Sequence, residues 1–228
     1  EAAAIHGHTA TVHYVRGNIA AQTGSLDKAL MHYDEALTSD PSHIRARINR
    51  SGILLALNEG RKVLDDCEIL LDLAPSLVLA RFRRAEGYMH LSEWDNARDD
   101  LKMVLESAPH HYQALTKLGS CYLSLKRPER AEGPLNEAIR LNPNHAPAWH
   151  QRGLLYLDLK ESDAAFDDFQ AAVKCDGNHL DSRLHIAATL HQQERHAEAA
   201  AAWRAVLAID PDHRVARTRL GHCEVNLV

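Results

Sequence analysis

A chain of 228 residues with 45% apolar and 25% charged residues, only 11 Gly and 8 Pro, can bury a core and lacks the composition of a disordered segment. Its net charge of −5 argues against a general nucleic-acid binder, which is usually basic. No apolar run approaches the ~18 residues of a membrane span and no secretory leader is visible, so a cytoplasmic protein is expected; the missing initiator Met fits an excised domain.

Residues 1–9, EAAAIHGHT, carry two His and a Gly but no apolar stripe, and a flexible lead-in is expected there. From residue 10 a helix–turn–helix–stop pattern recurs. In 10–43, Gly17 is the small residue of the first helix, Gly24-Ser25 makes the turn, and Ala29, Tyr33 and Ala36 line the second helix. The unit 44–77 is the most degenerate, with Ser51 in the Gly place, Val63 in the Ala place and Gly60 in the first turn of its second helix. Leu54, Leu64, Leu71 and Pro75 nevertheless hold its register. Units 78–111, 112–145, 146–179 and 180–213 follow, with Ala97, Ala131, Ala165 and Ala199 in the small place. Leu101, Leu135, Phe169 and Trp203 fill the large place four residues later, as expected of layers that interdigitate. The segment 214–228 begins as another first helix, with Leu220-Gly221 in place. Glu224 then stands where Tyr or Leu would pack, so a capping helix is expected, truncation being the alternative.

Pro41, Pro75, Pro109, Pro143 and Pro211 are spaced by 34 residues or a multiple of it, and Gly177 fills the vacant place. The clearest unit, Leu115 to Pro143, pairs Leu115, Leu118 and Tyr122 around Gly119 with a second stripe at Ala131, Leu135 and Ala138. A 34-residue period carrying LG, Tyr, Ala and Pro in this order resembles the tetratricopeptide repeat family, over residues 10 to 228. The resemblance implies an all-α fold, a right-handed superhelical solenoid of six helix pairs plus the C-terminal capping helix. It also implies that first helices line a concave groove for peptides.

Arg16, Arg50, Arg84 and Arg152 share one place in their first helices, and Asp66, Asp100 and Asp168 lie 16 residues after the last three. The repeats with Leu118 and Ile186 in the Arg place have Pro134 and Ala202 in the Asp place. Asp occurring only with Arg predicts an ion pair between the two helices of a repeat; Arg16, with His32 opposite, is the exception. Cys67, Cys121, Cys175 and Cys223 have no CxxC spacing and are expected as buried or semi-buried free thiols. His43, His111, His145, His179 and His213 each close a repeat. Helices pack ~8–10 Å apart while zinc ligands lie within ~2.1 Å of the ion, so these are expected as polar loop residues and not as a metal row. His185, His191 and His222 could approach one another on neighbouring first helices, but no metal or cofactor is expected. No catalytic set is found, and a non-enzymatic chain is expected.

One residue before the Arg/Leu place runs the row Val15, Asn49, Arg83, Lys117, Gln151, His185 and Arg219, which contains no acid. Tyr14 and Phe82 lie beside it. A polar-to-basic row on a groove wall suits an extended peptide with acidic groups or a free carboxylate; an ordinary solvated face is the plainer alternative. Some tetratricopeptide proteins grip acidic chaperone tails with a clamp of two Lys, two Asn and one Arg. Asn18, Asn49 and Arg83 fit the Asn and Arg places, while Tyr14 and Leu79 replace both lysines. The expected sites are thus Tyr14, Asn18, Asn49, Phe82, Arg83, Lys117, Gln151, His185 and Arg219. A protein-interaction scaffold is the leading function. A self-assembling repeat, or a targeting or co-chaperone domain of a larger protein, is the alternative, and exposed Val225, Leu227 and Val228 would permit self-association.

Overall fold

The computed structural model describes the backbone of residues 2–226 and the side chains of residues 9–226. The described residues form thirteen α-helices and no strand. They divide into two compact units, Glu1–Pro109 and His110–Val228.

The first unit holds α1 (Ala2–Gln22), α2 (Leu26–Ser39), α3 (Ile44–Ala56), α4 (Gly60–Leu73), α5 (Val78–His90) and α6 (Trp94–Ser107). Residues 2–9, expected as a flexible lead-in, belong to α1. Alanine at 2–4 costs little in a helix, so the packed part of α1 propagates outward once nucleated. The second unit holds α7 (Tyr112–Ser124), α8 (Pro128–Leu141), α9 (Ala146–Asp158), α10 (Ser162–Cys175), α11 (Leu180–Gln192), α12 (His196–Ile209) and α13 (Arg214–Val225). Six helix pairs and a final helix thus follow the repeat of the prolines, including the degenerate pair α3–α4.

The turn within each pair is closed in one way, and most turns between pairs share a second way. Between the helices of a pair, Gly24, Asn58, Ser92, Lys126, Lys160 and Glu194 all have φ between 57° and 74°. The next N–H in each turn reaches a carbonyl five residues back, as in Glu59 to Leu54 and Glu161 to Tyr156, at 2.9 and 2.8 Å. Only Gly24 takes this left-handed conformation without a Cβ penalty. After the second helix, the side chains of Asp40, Asn142, Asp176 and Asp210 accept from the N–H two residues on, and the Pro or Gly between them sets the turn. The side chains of Arg47, Arg81, Trp149, Arg183 and Arg217 then donate to the carbonyl six residues back, of Pro41, Pro75, Pro143, Gly177 and Pro211, at 2.7–2.9 Å.

Size matching between paired helices forms the core. A Cβ added to Gly17 would lie 2.5 Å from the Tyr33 ring, and one added to Gly119 would lie 2.5 Å from Leu135. Where the first helix brings Ser51, the second brings the smaller Cys67, and both are buried. Cys67, Cys121 and Cys223 are buried and Cys175 half-buried, all as free thiols; burial pushes the Cys67 thiol up to about 12.

The Arg–Asp pairs form in all three expected repeats. Arg84 Nε and Nη2 donate to the two Asp100 carboxylate oxygens at 2.7 and 2.8 Å, and Arg152 meets Asp168 at the same distances. Arg50 pairs with Asp66, whose buried carboxylate also receives Arg47 Nη1 at 3.0 Å. Arg50 Nη1 further reaches Asp34 at 2.6 Å and Arg152 Nη1 reaches Asn136 at 2.7 Å, each on the second helix of the preceding repeat. These guanidinium groups hold helices together within and between repeats of their own unit.

Candidate partner-binding face

In the first unit, Val15, Asn49 and Arg83 lie on α1, α3 and α5, first helices that touch in succession. Asn49 Nδ2 donates to Asn18 Oδ1 at 2.8 Å, and the Tyr33 hydroxyl donates to the same oxygen at 2.9 Å. The two asparagines are therefore brought together and oriented from the core. Tyr14 is half-buried, its ring 5.0 Å from His43 and 6.3 Å from Tyr33. Arg83 lies over Gly52, where an added Cβ would meet Nη2 at 3.2 Å. Its Nη1 stands 3.8 Å from the Glu86 carboxylate, too far for a hydrogen bond. Arg83 Nε is buried and has no hydrogen-bond partner among the described residues. Phe82 is half-buried next to it, and Leu79 is exposed.

In the second unit, Lys117 on α7 and Gln151 on α9 are half-buried, and Arg219 on α13 is exposed. Burial, with Lys117 as a second cause, lowers the pKa of His145. Arg219 Nη1 is 3.3 Å from His191 Nε2, and His191 Nδ1 is 3.1 Å from Cys223 Sγ. His185 is taken up by packing: its ring stacks on Phe169 at 4.5 Å and 9°, and lies 5.7 Å from His150. Burial lowers its pKa, with Asp181 opposing, and so favours the neutral ring. The row's lack of acids does not extend to its neighbours either, since Glu86 stands beside Arg83. Positive charge on this row rests on Arg83 in one unit and on Lys117 and Arg219 in the other.

Four of the five repeat-closing histidines, His43, His111, His179 and His213, cap the following helix: their Nδ1 accepts from the third backbone N–H at 3.1–3.3 Å. His191 and His222 come within 5.0 Å between ring centroids, but His185 faces Phe169 and His150 instead of joining them. Among the described residues, the group whose ligand atoms converge is His13, His32 and Glu35, all within 4.8 Å of one another. The repeat register gives no signal for this group, because it occurs in one repeat alone.

Two family profiles described as "Tetratricopeptide repeat" match the chain, one over residues 1–44 and 82–146 and the other over 135–167. No curated protein matches it by sequence. Among solved structures, the chain is similar to Cut9–Hcn1, an APC/C hetero-tetramer, with a TM-score of 0.81, 19% identity, and coverage of 94% of this chain and 42% of that one. It is similar to PilF of Pseudomonas aeruginosa with a TM-score of 0.73 and 16% identity, over 97% of this chain and 99% of that one. YrrB, described as a tetratricopeptide protein with an unusual peptide-binding site, matches with a TM-score of 0.56 and 23% identity, over 82% and 96%. These likenesses show a shared fold.

Proposed function

Because the chain belongs to the tetratricopeptide repeat family, we propose that it is a non-enzymatic scaffold whose first helices bind an acidic peptide or carboxylate-bearing segment of a partner protein. The observation that carries this is Arg83, held over Gly52 on a half-buried face with its Nε unsatisfied and its nearest carboxylate 3.8 Å away. A buried guanidinium N–H without an acceptor is costly, and a ligand carboxylate would relieve that cost. Asn18 and Asn49 offer adjacent amides, and Tyr14 and Phe82 offer half-buried aromatic surface in the same unit. Lys117, Gln151 and Arg219 are the corresponding contacts of the second unit, with His185 as a positioning group. The peptide-binding site of YrrB is a precedent on the same fold. Four free thiols suit a reducing, cytoplasmic setting.

The test is affinity capture of natural partners by the wild-type chain against Arg83→Glu, Lys117→Glu and the double variant. Each desolvated charge-assisted contact contributes about 1.5–3 kcal/mol, so each single variant should bind at least about tenfold more weakly, with unchanged helicity. Capture should also fall as salt rises, because exposed charges are screened over about 8 Å at physiological ionic strength. Undiminished capture by the double variant would reject the reading.

Self-association is a second reading, favoured by Val215 and Val225, which are 57% and 76% exposed on α13. Leu227 and Val228, expected to join them, lie outside the described residues. A light-scattering mass that stays at one chain up to high concentration would remove this reading.

A further inference from the structure

The first repeat differs from the other five at three places. His13 on α1 occupies the place held elsewhere by Arg47, Arg81, Leu115, Trp149 and Arg183. His32 on α2 takes the place of Asp66, Asp100, Pro134, Asp168 and Ala202, and Glu35 that of Ile69, Met103, Glu137, Ala171 and Ala205. The repeat geometry brings these places together irrespective of what fills them. Arg47 reaches Asp66 at 3.0 Å in the second repeat, and Arg81 reaches Met103 Sδ at 3.0 Å in the third. Only in the first repeat are all three filled by residues that can ligate a metal. His13 is also spared the turn-closing role of its equivalents, because α1 runs through the position where the later repeats have a loop.

We propose that His13, His32 and Glu35 form a binding site for one divalent ion of the zinc type, clamping α1 to α2. His13 Nδ1 and His32 Nδ1 lie 2.8 and 2.9 Å from the same Glu35 oxygen. His13 Nδ1 is buried and makes no hydrogen bond of acceptable geometry, despite that distance. A tetrahedral centre with bonds of about 2.1 Å spaces its ligand atoms about 3.4 Å apart. The observed separations, from 2.8 Å to at most 4.8 Å, bracket that value, so side-chain rotation suffices. Two imidazoles and one carboxylate are a borderline-soft set that selects zinc over calcium or magnesium. Three protein ligands leave a fourth position open, and it faces a surface cleft of about 660 Å³ lined by His13, Leu30, Met31, Asp34 and Glu35. A water or a partner's side chain completes the coordination there.

The test is calorimetric titration of Zn(II) into the full, metal-free chain, with the visible absorption of bound Co(II) as a second readout. Wild type should take up one tight equivalent and give the intense spectrum of four-coordinate Co(II). His13→Asn, His32→Asn and Glu35→Gln should each weaken that equivalent at least about tenfold, since changes around ligands alone cost about 10–100-fold. Glu35 is 43% exposed at its side chain, so Glu35→Gln keeps the fold and the test stands even if a histidine variant is unstable. His191→Asn combined with His222→Asn should leave the equivalent intact. No tight equivalent in wild type, or one unchanged in Glu35→Gln, would overturn the proposal.

Discussion

Acidification should destabilise the second unit through His150. This histidine is 7% exposed and buried against Phe169, with the rings of His179 and His185 at 4.9 and 5.7 Å. Its Nδ1 is 2.9 Å from the Ser182 hydroxyl. Burial, aided by the neighbouring histidines, lowers its pKa to about 4, with Asp181 opposing. An unfolded histidine titrates near ~6.5, so between those values the unfolded chain binds the extra proton. Stability therefore rises with pH across the window from ~4 to ~6.5 and is lost as pH falls through it. That lowering corresponds to about 3 kcal/mol, most of which is lost between pH 7 and pH 4.5. Carboxylates also titrate there, so the measurement is the difference between wild type and His150→Thr, which installs the residue found at the equivalent Thr116. Urea unfolding at pH 7 and pH 4.5 should show wild type losing about 2 kcal/mol more than the variant. Equal losses in the two proteins would refute the assignment of a buried neutral imidazole.

Other outcomes follow from the same geometry. A double-mutant cycle on Arg84 and Asp100, whose side chains are 23% and 6% exposed, should give a coupling of about 1–3 kcal/mol by denaturant unfolding. Lys160→Gly should raise stability by about 0.5–1 kcal/mol, because relief of a left-handed φ of 65° outweighs the added chain entropy. Gly119→Val should cost about 1–3 kcal/mol by crowding Leu135. Burial lowers the pKa of His145, His150, His185 and His191, so fewer imidazoles charge on mild acidification. The solubility minimum should therefore fall somewhat below the sequence isoelectric point of 6.3.

The fold was legible because every repeat writes the same marks at the same spacing. The 34-residue series of prolines survives even in the second repeat, where Ser51 and Val63 replace the usual residues. The Arg–Asp pairs were legible for the same reason, as Asp66, Asp100 and Asp168 appear only where an Arg stands 16 residues earlier. What occurs once had no such signal. His32 looked like a failed partner for Arg16, and only the packing of α1 on α2 brings His13 to it and to Glu35, one turn further along α2. The stacking of His185 on Phe169 depends on a large side chain at one place of the fifth repeat, so the row alone marked His185 as a free polar group. The left-handed turn residues were hidden because five of the six carry side chains, and tertiary packing of the helix pair outweighs their local preference.

Nuclear magnetic resonance of the isotope-labelled chain can show whether the first-helix face around Arg83 receives an acidic peptide. A synthetic peptide rich in Glu with a free C-terminal carboxylate would be titrated in, and shifts followed at backbone amides and at the Arg83 Nε–H. The expected result is saturable shifts at Asn18, Asn49, Phe82 and Arg83, a downfield move of the Arg83 Nε–H as it gains an acceptor, and loss of both in Arg83→Glu. Saturable binding with shifts confined to α2, α4 and α6, and with the Arg83 Nε–H unmoved, would contradict it.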